Sequence, residues 1–505
     1  MRMKLQTVIG LETHIQLKTK TKLFSPASND SEGAAPNTHI HPIDLGHPGV
    51  LPVPNEEAIR WAILMGLALN GEIATYSKFD RKHYFYPDLP KAYQISQFDL
   101  PIMGPGSIDI DVPGDDAPTT IRLERMHLEE DAAKNIHGED GKTYVDFNRA
   151  GTPLCEIVTR PDFRTAEQAS AYLRELRLLA RTLKISDADM EKGNLRCDVN
   201  ISMREVDDDG IPIKKELSPK TEIKNVNSFK AVERVIRYEI KRQTKLWEMG
   251  TPPAVTTTRG WNDPKGITEE QREKEDSADY RYFPEPDIPP MELTAMTEEM
   301  RRRLPELPRA RRRRFVDEYG FKMTDARQLI DDPYLADFTE QSMSELGAWL
   351  QAMPDVTPET MEEARKKLTK LFAGWLLNKL MGLLIERKID IRTMKITPEN
   401  FAEFITLLAG GKLNGPNGLK VLGRMLDDGS DPSHVVDELG ATRMDDADAL
   451  LQIIETVIEQ NPDEADRYRG GEKKLMQFFV GQIMKETKGN ADPQMTAKLI
   501  QQSMS

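Results

Sequence analysis

The chain has 505 residues, 38% of them hydrophobic and 30% charged, with a net charge of −14 and two cysteines. At roughly 150 residues per domain this length predicts about three domains, and the composition is that of a water-soluble globular chain without low-complexity tracts. The acidic balance excludes a general polyanion binder, which needs clustered Lys and Arg, and two thiols exclude a disulfide framework or a four-cysteine zinc site.

The first ten residues, MRMKLQTVIG, lack the apolar region of a signal peptide. The longest apolar stretch, 371–385, is interrupted by Asn378 and Lys379. Both features predict a cytosolic protein without a membrane span. Residues 7–17 alternate: Ile9, Leu11, Ile15 and Leu17 share one parity, while Glu12, His14 and Gln16 share the other. That is the pattern of a half-buried strand with a polar second face. Glu12 and His14 therefore project to one side and could reach one ion, although a solvated pair is the plainer alternative. Oxygen ligands with at most one imidazole favour Mg²⁺ or Mn²⁺ over zinc.

The stretch 79–98, FDRKHYFYPDLPKAYQISQF, interleaves Arg81, Lys82 and Lys91 with Tyr84, Phe85, Tyr86 and Tyr93. Such a segment can fix cations under aromatic cover for phosphate or acyl-group handling; a self-packed surface loop is the alternative. His127, Glu129, Glu130 and Asp131 form an acidic cluster. Gly141, Lys142 and Thr143 look like the end of a P-loop but lack its first glycine, so a polar turn is expected. With no Walker A or Rossmann fingerprint, an ATP site here has to be metal-centred and built from carboxylates.

Short alternation returns at Val145 and Phe147, and a longer one runs through Leu195, Cys197, Val199, Ile201 and Met203 against Arg196, Asp198, Asn200, Ser202 and Arg204. Glu222 stands two residues from Lys224. Thr165 and Ser228 are good N-caps for two helices whose apolar stripes, Tyr172 to Leu183 and Val232 to Ile240, should cover the greasy side of an open antiparallel sheet. The Pro-rich segment 282–290 ends this region. Arg-, Glu- and Leu-rich helices follow after LPELP, and the cluster Gly410, Gly411, Gly415, Pro416, Gly418 reads as a hinge before helices near 419–426, 446–460 and 472–485.

The expected fold is thus α+β: an antiparallel-sheet domain over 1–292, an all-α helical domain over 293–410 and an all-α tail domain over 411–505. Basic runs at Arg301–303, Arg309 and Arg311–314, and at Lys473, Lys474, Lys485 and Lys488, are either local RNA contacts or solvated helix faces.

Several segments stand together in one order: VIGLETHIQLKTKTKLFSPASND, FDRKHYFYPDLPKAYQISQFDLPI, HLEEDAAK, DFNRAGTPLCEIV, GNLRCDVNISMR, TEIKNVNSF, DSADYRYFPEPDIPP and, near the end, KETKGNADP. They closely resemble the B-subunit family of the aspartyl/glutamyl-tRNA amidotransferases, over essentially the whole chain. The resemblance implies a cradle domain similar to the catalytic fold of glutamine synthetases, then a helical domain and a tRNA-binding tail. It implies ATP-dependent activation of the side-chain carboxylate of Glu-tRNA(Gln) or Asp-tRNA(Asn), with ATP and Mg²⁺ or Mn²⁺ as cofactors. The implied partners are the amidase (glutaminase) subunit of the same complex, which supplies ammonia, the small third subunit, and the misacylated tRNA; no membrane is implied.

Matched by position, the resemblance puts catalysis and metal binding at Glu12, His14, Glu130 and Glu222, with Glu129 and Asp198 nearby at the nucleotide. Lys82 and Lys91 fall along the ammonia route, Lys82 as a catalytic residue, while Arg81 joins Lys91 as a cofactor contact. Many relatives carry four zinc-binding cysteines where this chain has Ser25, Ala27, His41 and Asp44, so structural zinc is not expected. Neither cysteine suits a glutaminase nucleophile, since both sit in apparent strands. The other function classes compatible with these residues are a non-catalytic tRNA-binding adaptor and a metal-dependent phosphate-ester hydrolase.

Overall fold

The computed structural model describes residues 4–115, 117–273, 280–354, 356–442, 444, 447–487 and 489–504. Residues 276–279 of the DSADYRYFPEPDIPP motif, Asp446 and Lys488 lie outside the described residues. The chain divides into two compact units, Met1–Leu307 and Pro308–Ser505.

The first unit is organised by eight strands: β1 (Lys4–Gln16), β2 (Gly106–Ile110), β3 (Thr119–Glu130), β4 (Pro153–Thr159), β5 (Leu195–Val206), β6 (Thr221–Val226), β7 (Thr257–Asn262) and β8 (Ile267–Glu273). They form one sheet in the order β8-β7-β6-β5-β1-β4-β3-β2. The expectation of a purely antiparallel sheet is corrected at one place, because β6 and β7 pair in parallel. The reason is the connection: α3 (Phe229–Glu248) lies between them in sequence, and a helical crossover returns the chain in the same direction.

One face of this sheet is apolar. Ile9, Leu11 and Ile15 of β1, Cys155 and Ile157 of β4, and Leu195, Cys197, Val199 and Ile201 of β5 are all buried in one core. That core is closed by α1 (Glu56–Ala68), α2 (Ala166–Thr182) and α3 through residues such as Ile63, Leu173, Leu176, Val232 and Ile236. Each fully buried side chain of this kind stabilises the fold by roughly 1.5–3 kcal/mol. The caps are those the sequence predicts: Thr165 accepts from the Gln168 amide and Ser228 from the Ala231 amide.

Segment 143–149 departs from the sequence reading. Among the described residues Thr143–Asp146 pairs only with Lys134–His137, and a 3₁₀ turn at Phe147–Arg149 follows. Gly141 lies in the turn between those two strands at φ +77°. The Pro-rich segment contributes Phe283–Pro284 as an edge strand of a small sheet with Asp80–His83 and Tyr93–Ser96. An edge is where a residue without an amide hydrogen is tolerated. A short helix, α4 (Thr294–Arg303), closes this unit.

The second unit is helical throughout: α5 (Pro308–Tyr319), α6 (Met323–Ile330), α7 (Pro333–Ala352), α8 (Met361–Ala373), a wide π-type segment Gly374–Leu380, α9 (Met381–Arg387), α10 (Pro398–Ala409), α11 (Gly415–Asp428) and five later helices. Aromatic rings link its core, with Phe372 centred 6.1 Å from Phe321 and 5.4 Å from Phe401. A separate cluster of Leu450, Ile454, Phe479, Ile483 and Ile500 holds the last helices together.

Two sequence expectations need revision in this unit. The helical run Met361–Arg387 is by length and composition long and apolar enough to cross a bilayer, but its Leu368, Phe372, Leu376, Leu380 and Leu384 are buried within the protein. The glycine cluster at 410–418 is only partly a linker. Asn414 caps α11, which begins at Gly415, and a Cβ on Gly418 would stand 2.7 Å from the Trp375 ring. Close helix packing, not chain flexibility, accounts for that glycine.

Candidate functional site

The polar face of the sheet is set by register. β1 pairs with β5 and with β4, and β4 pairs with β3, so that Arg196, His14, Glu156 and His127 stand opposite one another in a row across four strands. Directly opposed side chains on one face are about 5 Å apart, and here that places two imidazoles and a carboxylate side by side. Glu129 is two residues beyond His127 on β3 and so joins the same face.

The side chains close on one another. Nε2 of His14 lies 3.3 Å from Oε2 of Glu156 and 3.8 Å from Oε1 of Glu129. Nε2 of His127 lies 3.4 Å from Oε2 of Glu156 and 3.6 Å from Oε2 of Glu129. Ser96 donates its hydroxyl to Glu129 at 3.2 Å. One ligand atom each from His14, Glu129 and Glu156 falls within 4.8 Å of the others. This donor set fits a hard divalent cation that also tolerates an imidazole. Nδ1 of His127 and Oδ1 of Asn200 are buried without a hydrogen-bond partner among the described residues.

Burial opposes charge on each of these groups, and their mutual attraction overcomes it. The His127 imidazole is pushed up to about 9, because Glu156 and Glu129 outweigh the burial that would lower it. His14 is raised for the same reason, burial being opposed chiefly by Glu156. Glu156 is held well below the usual carboxylate range: burial pushes it up, but His127 and His14 pull it down further. Glu129 is lowered, with His127 and Lys82 offsetting burial and the repulsion of Glu156.

Lys82, on the strand Asp80–His83, keeps its proton more tightly than an ordinary lysine, since Glu129, Tyr282 and Glu156 outweigh its burial. Its ammonium lies 5.2 Å from the Tyr280 ring centre and 5.9 Å from that of Tyr84. At the other end of the row Arg196 is fixed by Asp131 at 2.6 Å, and Asp131 also accepts from Gln16 at 3.1 Å.

The residues singled out from the sequence fall in four places. His14, Glu129 and Lys82 come together as described. Glu12, Asp198 and Glu222 lie on the same polar face further along β1, β5 and β6. Glu12 accepts from Asn200 at 2.9 Å, and Lys224 bridges Asp198 at 3.0 Å and Glu222 at 3.1 Å.

Glu130 is not part of either group. As the neighbour of Glu129 on a strand it turns away from that face, where it meets the Lys91 ammonium at 2.5 Å and the Ile95 amide at 2.8 Å. Burial and Asp44 raise its carboxyl despite Lys91. The structure thus gives Glu130 and Lys91 to each other and does not bring Glu130 to His14. Arg81 is tied bidentate to Glu285 at 2.7 and 2.9 Å and lies 4.4 Å from the Tyr93 ring centre.

Sequence reasoning missed Glu156 and left His127 without a role. A signal for Glu156 existed: it is the one charged residue in PLCEIVT, between the buried Cys155 and Ile157. Both thiols are indeed buried, and burial pushes that of Cys155 up to about 12, so neither is an activated nucleophile. Among Ser25, Ala27, His41 and Asp44, Asp44 accepts from the fully buried Lys22 at 3.2 Å and from the His41 amide at 3.0 Å. A lysine ammonium therefore fills the place a cation would take beside Asp44.

Two protein families match the chain: the GatB/GatE catalytic domain over residues 7–299 and the GatB domain over residues 359–504. Among named relatives, the B subunit of the aspartyl/glutamyl-tRNA(Asn/Gln) amidotransferase of Trichodesmium erythraeum is 44% identical, over 99% of this chain and 98% of its own length. That of Crocosphaera subtropica is 44% identical over 98% and 96%, and that of Thermoanaerobacter pseudethanolicus is 41% identical over 100% of both. The chain belongs to the family of aspartyl/glutamyl-tRNA amidotransferase B subunits.

Proposed function

We propose that this chain uses ATP to activate the side-chain carboxylate of Glu on tRNA(Gln), of Asp on tRNA(Asn), or of both, and then converts it to the amide. The observation that carries this reading is the row of half-buried His14 and Glu156 and buried His127, with buried Glu129 beside it. A free carboxylate resists ammonia because oxide would have to leave. Attack of one carboxylate oxygen on the γ-phosphorus of ATP releases ADP and leaves an acyl phosphate; ammonia then attacks the acyl carbon, a proton departs, and inorganic phosphate carries the oxygen away. Ammonia comes from the glutaminase subunit, with a small third subunit completing the complex.

His14, Glu129 and Glu156 are the residues suited to hold Mg²⁺ or Mn²⁺, with Glu12, Asp198 and Glu222 as a flanking acidic group. A divalent ion held there neutralises charge on the phosphoryl group. His14 has to give up its proton to become a ligand, so metal affinity rises with pH. His127 stays cationic near neutrality and fixes the orientation of both carboxylates. The Lys82 ammonium faces the same carboxylates under tyrosine rings, suited to stabilise charge developing on the acyl group and to guide ammonia. Lys91 holds Glu130 beside that route.

A glutamine-synthetase-like cradle over 1–292, a helical domain over 293–410 and a tRNA-binding tail over 411–505 complete the proposal, together with a cytosolic setting. An adaptor without chemistry has no need of a charged row buried against desolvation, which disfavours that reading.

The test is Glu156→Gln in the assembled three-subunit complex. ATP hydrolysis dependent on misacylated tRNA, and amide formation from added ammonium, should each fall by roughly 10³ or more, measured below a melting transition that itself drops because His127 and His14 lose their shared carboxylate. Near-normal rates of both would make the row structural and sink the assignment.

A further inference from the structure

The polar face continues beyond the carboxylates to a second region of opposite charge. Gln6 of β1 pairs with Arg204 of β5 in the same unbroken register that pairs His14 with Arg196. All four residues therefore share a face. Eight residues of strand separate Gln6 from His14, about 27 Å at 3.4 Å per residue.

This end of β1 and β5 carries Arg164 and Arg204 together with the acidic turn 207–209, whose Asp208 pairs with Lys4 at 2.8 Å. Arg204 spends Nε and Nη2 on the neutral Gln6 oxygen, at 2.9 and 2.6 Å. Arg164, just before α2, donates Nη1 to the Pro161 and Phe163 carbonyls at 2.8 and 2.9 Å. Neither guanidinium has a carboxylate within ion-pair distance among the described residues. Several acids are held by other cations: Asp162 bidentate by Arg122 at 2.6 and 2.9 Å, Glu167 by Arg237 at 2.6 Å, and Glu124 by Arg160 at 2.8 Å. Partial burial lowers the Arg164 guanidinium and the Arg204 charge lowers it further, against the smaller opposing pull of Asp162. The Ile9–Phe163 bridge sets Arg164 beside β1 on the side opposite Arg204, so the two guanidiniums flank β1 as a local cationic pair in a chain of net charge −14, suited to an anion lying across the strand.

Resting on the function proposed above, we infer that Arg164 and Arg204 clamp a backbone phosphate of the tRNA acceptor end, upstream of the aminoacylated nucleotide, whose 3′ end lies at His14, Glu129 and Glu156. The distance along β1 separates this anion from the reacting phosphoryl group of ATP. Backbone contacts of this kind position the nucleic acid without reading its sequence. The arginines are thus positioning residues, which set where the acyl group lands and take no part in the transfer.

Arg204→Gln is the informative variant, because the side-chain hydrogen bonds of Arg204 among the described residues go to the neutral, half-buried Gln6; Arg164→Gln also removes two carbonyl contacts and serves in the double variant. In the three-subunit complex, KM for misacylated tRNA should rise roughly 10-fold for Arg204→Gln, while kcat at saturating tRNA stays within about twofold and KM for ATP is unchanged. The slope of log affinity against log salt should become shallower by about one for each arginine removed. Arg204→Lys should restore most of the affinity, and melting curves should coincide.

Unchanged tRNA affinity and salt slope would overturn the clamp. A raised KM for ATP with a lowered kcat would also overturn it, by assigning the guanidiniums to the nucleotide. Equilibrium binding of the same tRNA needs no turnover. A wild-type complex that binds tRNA without forming amide would therefore count against the proposed reaction, while the loss on Arg204→Gln would still report on the clamp.

Discussion

The two units treat charge in opposite ways. Among the described residues, buried charged side chains gather in the sheet unit, Lys22, Asp44, His127, Glu129, Glu130 and Asp131 among them, whereas the helical unit buries Arg312. The helical unit keeps ion pairs such as Glu362 to Lys366 at 2.6 Å and Glu363 to Lys367 at 2.8 Å, each four residues apart on α8, in water. Exposed pairs of that kind contribute about 0.3–0.5 kcal/mol. Stability in the helical unit thus rests on apolar packing and well-formed helix starts, where Asp332, Thr397 and Asn414 cap helices with proline in the first turn. Buried charge on the sheet costs desolvation and is retained for what it does.

This contrast is sharpest at Glu129. Burial and the repulsion of Glu156 raise its carboxyl, but His127 and Lys82 hold it below the ordinary value, so Glu129→Gln should lower the melting temperature modestly at neutral pH, while amidation by the folded complex falls by roughly 10³. A lower melting temperature with activity intact would mean that the charges on the sheet are structural, as those of an ordinary core are.

The opposite behaviour is expected at Phe372, fully buried against Phe321 and Phe401. Phe372→Ala should cost about 3–5 kcal/mol in denaturant unfolding. Its kcat, measured below the unfolding transition, should stay near wild type. Lost chemistry in a fully folded variant would mean that the helical core also serves the reaction.

The smallest effect belongs to Glu340, which accepts from Arg311 at 2.7 Å and pairs with Arg314 at 2.7 Å. Partial burial raises its carboxyl, but the two arginines lower it below the ordinary value. A depressed carboxyl contributes stability that is present above its unfolded pKa and lost as pH falls through the folded one. Glu340→Gln should therefore cost under about 1 kcal/mol at neutral pH, and the difference from wild type should vanish at acid pH. A difference that persists there would point to packing and not charge.

Much of the fold could be read from local pattern. The period of two at Ile9, Leu11 and Ile15 and at Val199 and Ile201 assigned both strands and their buried faces, and Thr165 and Ser228 located both covering helices. The carboxylates were harder because alternation within one strand says which side a residue faces, and not which strand lies beside it. Glu129 and Glu130 stand in one acidic run, and a single step of the pleat sends one to His14 and the other to Lys91.

Sequence by itself determined the α+β character of the first unit, the helices of the second and the polar parity of Glu12, His14, Asp198 and Arg204, because burial against water acts residue by residue. Only the tertiary structure decided that β4 lies between β1 and β3, which sets Glu156 between two histidines. It likewise turned Gly418 into a packing contact with Trp375 and β6 and β7 into a parallel pair. Those outcomes depend on pairing between segments far apart in the chain, which is fixed by register and crossover geometry and leaves no mark on local periodicity.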